Sequence, residues 1–411
     1  MIRHLRVKNF KSIESVDLEP GKVNVLIGAN GSGKSNLLEA IGVLSAAAGG
    51  RVDDESLLRR GVRPGVPALY KSAFAGSSRS LHISFGAWTE ETSYEVSLFN
   101  PIDEPLPYWR YHTENLKDGN RKIVGRSYRG EKKPNPEAGL AALKTVEMKE
   151  GDPALTLLET LRDFAIYSPN TDALRGISPD LQQRKPVGLS GGQLSNAVSE
   201  LKNARGNEFV EEICGGALSL IDWATNFGTA PVSSLPFSGS VGSTRRVVKF
   251  TDRYMNPTWN TLSGYDASEG ALFILFHAVL AGHPGGPRLF AVDNADHSLN
   301  PRLARALFQK ICDWYLGAPR PRQIFMTTHN PLALDGLALQ NEEVRLFTVF
   351  RTDRGRTEVQ RVVLDDKIQK MAEKGWSLSR LWVMGHLGGR GQCLIRFGSR
   401  SWWKDRRTTR F

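Results

Sequence analysis

Cysteine is scarce and badly placed for pairing: Cys214, Cys312 and Cys393 are the only three in 411 residues. An odd number, far apart, argues against a disulfide framework or a zinc site and points to a reducing compartment. Long apolar runs are missing as well. The longest, around 271–281, is interrupted by His277 and is too short to cross a bilayer. The start, Met1-Ile2-Arg3-His4-Leu5-Arg6-Val7-Lys8, lacks the apolar core of a signal peptide. These absences predict a cytoplasmic chain with no membrane segment. No low-complexity tract or internal repeat occurs, and no glutamine precedes Gln182.

Acidic residues are outnumbered, 43 against 54 Lys and Arg, for a net charge of +11. Such an excess favours polyanionic partners, nucleic acid first and an anionic membrane surface second. Its distribution tempers that reading. Seven basic residues and one acidic residue lie between Arg390 and Phe411, so this tail carries +6 of the total. The tail also holds Trp402 and Trp403; aromatics among basic residues suit nucleic acid, while a disordered end is the plainer expectation. Hydrophobic residues at 40% and charged residues at 24% describe an ordinary globular protein, long enough for one large domain with an insertion or for two domains.

Alternation in Ile2-Arg3-His4-Leu5-Arg6-Val7 predicts a half-buried strand, and 22–27 a buried one running into a glycine loop. A helix is expected over 35–44. From 80 to about 129, short alternating segments such as Leu81-His82-Ile83-Ser84-Phe85 and Tyr94-Glu95-Val96-Ser97-Leu98-Phe99 predict an antiparallel sheet. An exposed loop is expected at 130–136, then helices over 154–164 and 194–220. Late in the chain the pattern returns to helix (269–281), strand (288–292), helix (301–315) and strand (323–327).

The glycine loop is Gly28-Ala29-Asn30-Gly31-Ser32-Gly33-Lys34-Ser35, the Gly-x-x-x-x-Gly-Lys-Ser pattern. Its glycines let backbone N–H groups converge on phosphates, Lys34 places a cation at the β and γ positions, and Ser35 offers a hydroxyl to Mg²⁺. The strand before it and the helix after it are what this motif requires. A buried strand ending in Asp293 supplies the second need, a carboxylate for the metal. The chemistry expected is therefore ATP and Mg²⁺ binding at Asn30, Gly31, Ser32, Gly33, Lys34, Ser35 and Asn36, with Ser35 and Asp293 on the metal.

Val7-Lys8-Asn9-Phe10-Lys11-Ser12-Ile13 ahead of Gly-Ala-Asn-Gly-Ser-Gly-Lys-Ser-Asn resembles the opening of ABC-type ATPases of the SMC and RecF kind, including AAA-family, OLD-like ATPases of bacterial antiphage defence. The likeness covers roughly 1–44 and 262–331, with a vaguer match near 376–389. It implies an α/β fold: a split P-loop ABC-type nucleotide-binding domain, with an antiparallel β subdomain and a mixed, partly helical insertion. The divisions expected are 1–90 and 251–350 for the two parts of the ATPase core, 91–250 for the β subdomain and insertion, and 351–411 for a C-terminal segment.

The resemblance also implies a signature segment that opens the helix before the Asp293 strand and reaches a partner subunit's ATP. Two segments compete. Leu189-Ser190-Gly191-Gly192-Gln193 spells the ABC transporter signature but lies deep in the insertion, whereas Ala267-Ser268-Glu269-Gly270 opens the expected helix. The assignment goes to Ser268, Glu269 and Gly270, with an ordinary N-cap serine as the alternative. Thr327-Thr328-His329-Asn330-Pro331 resembles the switch-histidine loop, so His329 is expected near the γ-phosphate. Ser298-Leu299-Asn300 matches the loop that communicates across the dimer.

Two departures stand out. Relatives read Asp-Glu-Pro where this chain reads Asp293-Asn294-Ala295-Asp296. Asn294 can orient a water but cannot accept its proton, a function typically worth ~10²–10⁴ in rate. Asp296 is the nearest substitute, either as base or as a turn or helix-capping residue. The family's glutamine between P-loop and insertion is missing too.

The resemblance implies a head-to-head homodimer closed by ATP, acting on a separate effector of the nuclease or toxin kind, or on DNA as a RecF-like clamp. OLD proteins carry a C-terminal TOPRIM nuclease, but no paired Asp-x-Asp carboxylates follow His329, so the nuclease is expected in a partner. Slow turnover is expected from Asn294.

Overall fold

Alternation does set the first strands. β1 (His4–Phe10) buries Leu5, Val7 and Phe10, then reverses through Lys11, whose φ is 50°, into β2 (Ile13–Leu18). β3 (Val23–Ile27) is buried at every position and feeds α1 (Lys34–Ala48). Short helices α2 (Asp54–Leu58) and α3 (Pro67–Tyr70) precede β4 (His82–Trp88), β5 (Thr92–Phe99), β6 (Arg110–Asp118) and β7 (Arg121–Arg126). These form one antiparallel sheet with the first two strands, in the order β2-β1-β4-β5-β6-β7. The computed structural model describes residues 1–76, 79–127, 135–180, 182–204, 206–235 and 245–387. The basic tail at 390–411 and most of the loop expected at 130–136 lie outside them.

The insertion runs through α4 (Leu140–Lys144), α5 (Pro153–Arg162), β8 (Ile166–Tyr167), α6 (Thr171–Leu174), α7 (Leu194–Asn203) and α8 (Glu208–Leu220) to β9 (Ala224–Pro231), β10 (Arg246–Asp252) and β11 (Thr261–Ser263). The last three make a second antiparallel sheet, β11-β10-β9. The helix expected over 194–220 is two helices. Gly206 takes a φ of 91°, and Asn207 caps α8 by accepting from Phe209 N and Val210 N, so apolar periodicity continues across a break in the backbone.

The chain continues with α9 (Glu269–Gly282), β12 (Leu289–Val292), α10 (Pro301–Leu316), β13 (Gln323–Thr328), β14 (Val344–Arg351) and β15 (Thr357–Val362), followed by α11 (Asp366–Glu373) and α12 (Leu378–Val383). β3 lies parallel between β13 and β14, in a six-stranded sheet ordered β15-β14-β3-β13-β12-β8. The two ends of the chain are therefore joined in one sheet, as the split-core expectation requires.

That sheet is covered on both faces. Val23, Val25, Ile27, Phe290, Val292, Ile324 and Met326 pack in one core with α9 and α10, while Leu26, Leu289, Ala291, Phe325 and Phe347 pack in another with α1 and the antiparallel sheet. α9 is buried from Ala271 to Gly282, which suits a helix apolar on all sides. β3, β8, β12, β13 and β14 all point the same way, so their C-terminal ends gather along one edge. In open α/β sheets that edge is where ligands bind. Among the described residues no helix is long and apolar enough to cross a membrane.

Candidate functional site

The site is built where β3, β12 and β13 end. β3 passes into the glycine loop, and close approach explains two of its glycines. A Cβ on Gly28 would lie 2.0 Å from Val349 O, and one on Gly33, whose φ is 110°, would lie 2.3 Å from Thr357 Oγ1. The loop is fastened by a one-way relay of donors. Asn36 Nδ2 donates to Ser12 Oγ (2.7 Å), Ser12 and Thr357 hydroxyls meet at 2.7 Å, and Thr357 Oγ1 donates to Ser32 O at 2.9 Å. Asn36 thus spends its side chain on the loop's support, while its main-chain N–H stays in the first turn of α1. Asn30 and Gly31 are exposed, and Ser32 is buried with no hydrogen-bond partner for Oγ.

Lys34 is buried, and its Nζ donates to Gly28 O at 2.7 Å and Ala29 O at 3.1 Å. Burial lowers its pKa to about 8, against the pull of Asp293 and Asp296. Beside it, Ser35 Oγ donates to Asp293 Oδ2 at 3.0 Å. Asp293 Oδ1 accepts from Thr327 Oγ1 at 2.5 Å, and the same threonine oxygen accepts from Asn294 N at 2.8 Å. Thr327, fully buried at the end of β13, is the hub of this corner.

Asn294 is exposed with a φ of 55°, a left-handed conformation that asparagine tolerates. Asp296 accepts from Asn330 N at 3.2 Å and does not cap α10; Asn300 does, by accepting from Leu303 N. The capping alternative for Asp296 is thereby set aside. His329 is exposed overall, yet partial desolvation of its ring and then Lys34 lower its pKa, with Asp296 and Asp293 opposing. Lys34, Asp293, Asp296 and His329 therefore share one electrostatic environment.

Ser268 sits at the N-cap position of α9, exposed, and its side chain makes no capping hydrogen bond. Among the described residues, Ser268, Glu269 and Gly270 form no hydrogen bond or ion pair with the glycine loop of the same chain. The Leu189–Gln193 loop is different. Asp180 Oδ2 accepts from Ser190 N at 2.8 Å and Gly192 N at 3.3 Å, so an internal carboxylate already fills the place an anion would take. Close packing adds to this, since a Cβ on Gly188 would lie 2.2 Å from that same oxygen.

Comparison with known proteins places these pieces. Residues 1–61 match the AAA ATPase domain family model. Over 62 residues the chain is 48% identical to the DNA replication and repair protein RecF of Paenarthrobacter aurescens, covering 15% of this chain and 16% of that protein. Over 45 residues it is 53% identical to RecF of Cellvibrio japonicus, covering 11% and 12%. The chain thus spans no more than 16% of the length of these two curated relatives. The SmcHead bound to the C-winged helix domain of ScpA superposes with a TM-score of 0.52 at 14% identity, covering 90% of this chain and 99% of that one. An Smc head domain with an extended coiled coil, bound to the C-terminal domain of ScpA from Pyrococcus furiosus, gives 0.50 at 12% identity, covering 92% and 100%. The chain has an SMC-head-like, ABC-type α/β fold.

In this fold β8 is the strand beside β12, and Asp293 N donates to Tyr167 O. The residues that follow it are Ser168, Pro169 and Asn170, with no glutamine among them. A cleft of about 580 Å³ also opens beside the glycine loop, lined by Lys11, Ser12, Asn36, Arg79 and Arg351 among others. Lys11 and Arg63 are both paired to the buried Glu39 of α1, and Arg351 reaches Gly31 O at 3.4 Å. Residue-type patterns singled out neither Thr357 nor Glu39, and Thr327 entered only as the first residue of the 327–331 segment, with no role of its own.

Proposed function

We propose that the chain is a slowly hydrolysing ATPase that works as a switch, two copies closing head to head on ATP. Each subunit holds ATP on its glycine loop, with Lys34 moving from the Gly28 and Ala29 carbonyls to the phosphates and the nucleoside end in the cleft by Ser12 and Arg351. The partner's Ser268 faces the γ-phosphate from the N-terminus of its own α9, where hydroxyl and free amides suit an anion. The observation that carries this reading is Ser268 itself, exposed, uncapped and unconnected to its own glycine loop.

The residues present suit Mg²⁺, since Ser35 Oγ and Asp293 Oδ2 are hard oxygen donors 3.0 Å apart beside the phosphate cradle. Bound there, the ion would supply positive charge to the phosphates. Thr327 keeps the Asp293 carboxylate turned toward Ser35. Asn294 orients the attacking water, Asp296 accepts its proton, and His329 donates to the γ-phosphate. With an amide where relatives have a carboxylate, chemistry is slow and the closed state lasts until it occurs.

What the closed dimer acts on is read as a separate effector protein, nuclease or toxin-like, in bacterial antiphage defence. Solved heads of this fold with a ScpA domain bound support a partner-protein reading. A second reading, a DNA clamp, is favoured by the RecF likeness and the +11 charge. Light scattering with ATP, with ADP and without nucleotide tests the switch; a monomer under all three conditions would refute it. Copurification with the product of a neighbouring gene supports the effector, and salt-dependent DNA binding strengthened by ATP supports the clamp.

A further inference from the structure

His277 is the one residue that interrupts the apolar sequence of α9, and it is 2% exposed. Its Nε2 lies 3.0 Å from Ala295 O. A carbonyl only accepts, so Nε2 carries the proton and the ring is the Nε2–H tautomer. The other main-chain group of Ala295 is held as well, its N–H donating to Thr327 O at 2.9 Å. Ala295 is thus clamped from both sides at the centre of the Asn294-Ala295-Asp296 turn.

The contact belongs to a stripe. Gly270, Phe273 and His277 recur three and four residues apart, the spacing of one helix face. A Cβ on Gly270 would come within 3.4 Å of Leu299 and Leu303 side chains, Phe273 lies 5.5 Å ring to ring from His297, and His277 reaches Ala295. This face of α9 follows the segment from Ala295 to Leu303 in reverse order. Of the three contacts, His277 alone makes a directional bond.

We propose that His277 is a positioning residue for ATP hydrolysis: its Nε2–H bond to the Ala295 carbonyl sets the turn that presents Asn294 and Asp296, and joins that turn rigidly to the helix bearing Ser268. The inference rests on the hydrolytic reading of the site given above. His277 touches no reacting atom and transfers no proton. Burial lowers its pKa to about 4, the Ala295 carbonyl pulling the other way, which keeps the ring neutral in the working range. Misplacing a reacting group by about 1 Å costs on the order of 10²-fold in rate, so one fixed hydrogen bond has leverage here.

The test compares His277→Leu, which keeps bulk and removes the donor, with His277→Gln, whose amide N–H can reach the same carbonyl. Expected for the Leu variant is a kcat at least about tenfold lower with KM for ATP within about twofold, the signature of lost transition-state positioning. The Gln variant recovers most of the rate. In nucleotide-free wild type, ¹⁵N-histidine spectra at pH 5.5 include a neutral, Nε2-protonated ring whose signals are missing from the Gln variant. A folded Leu variant with wild-type kcat overturns the proposal, as does an Nδ1–H tautomer, or a Gln variant as slow as Leu. Wild type without ATP turnover would instead remove the hydrolytic reading, and the role of His277 with it.

Discussion

Ser35 Oγ donates to Asp293 Oδ2 at 3.0 Å, joining the start of α1 to the end of β12 across the parallel sheet. Two oxygens from opposite ends of the sequence are thereby set side by side. If they hold Mg²⁺ together, Asp293→Asn keeps the shape and loses the charge. Changes around a metal's ligands typically cost ~10–100-fold in affinity, and a ligand itself should cost no less. The Mg²⁺ concentration for half-maximal ATP turnover should therefore rise at least about tenfold, measured by phosphate release across a Mg²⁺ titration. An unchanged requirement would remove Asp293 from the metal.

In the proposed mechanism Asp296 and Asn294 divide the work of the single glutamate expected at this position. Asp296→Ala should lower turnover at least as much as Asn294→Ala, within the ~10²–10⁴ range of a lost general base. The Asp296 carboxylate also accepts from Asn330 N, so nucleotide affinity must be measured alongside. A fully active Asp296→Ala protein excludes it from the mechanism. Loss of both affinity and rate would assign it to holding the His329 loop.

How much of this was legible in the sequence depended on distance along the chain. The glycine loop is contiguous and came with its flanking strand and helix, so Lys34 and Ser35 could be named at once. The position of Asp293 is readable because it follows a short apolar strand, and that of His329 because 327–331 resembles a known loop after the next one; the structure brings both beside Lys34. The supports were not. Ser12 and Thr357 meet only because β2 and β15 are brought to the same loop from opposite ends, and neither has a neighbourhood that announces it. The 194–220 helix was misjudged since apolar spacing carries on past Gly206, where the backbone does not. His277 registered only as an interruption of an apolar run; its partner lies in a turn whose path needs the folded sheet.

Ser268 and Ser190 make opposite predictions. Ser268→Arg puts a bulky cation at an exposed helix start with no internal bonds to lose, so folding should survive and ATP-dependent dimerisation should fail. Ser190→Arg leaves the dimer intact, because the amides around it are already given to Asp180. Light scattering of both variants with ATP decides the matter. If only the Ser190 change abolished dimerisation, the signature would have to be reassigned to the Leu189–Gln193 loop.

Lys34 gives the site a pH dependence of known sign. Without nucleotide, burial lowers its pKa to about 8, so the amine begins to lose its proton just above neutrality. Bound phosphates favour the charged form and raise that value. The complex then holds more protons than the free protein above pH 8, and linkage requires affinity to fall as pH rises through that window. In the free protein His329 lies on the acid side of this window, its pKa being lowered. ATP affinity should be level between about pH 7 and 8 and weaken by up to ~tenfold per unit beyond it, at most one proton being taken up per site. Calorimetry in buffers of different ionisation heat would detect that uptake directly. Flat affinity to pH 10 would mean that the lysine keeps its ordinary basicity, and that leaving the Gly28 and Ala29 carbonyls for the phosphates is not coupled to a proton.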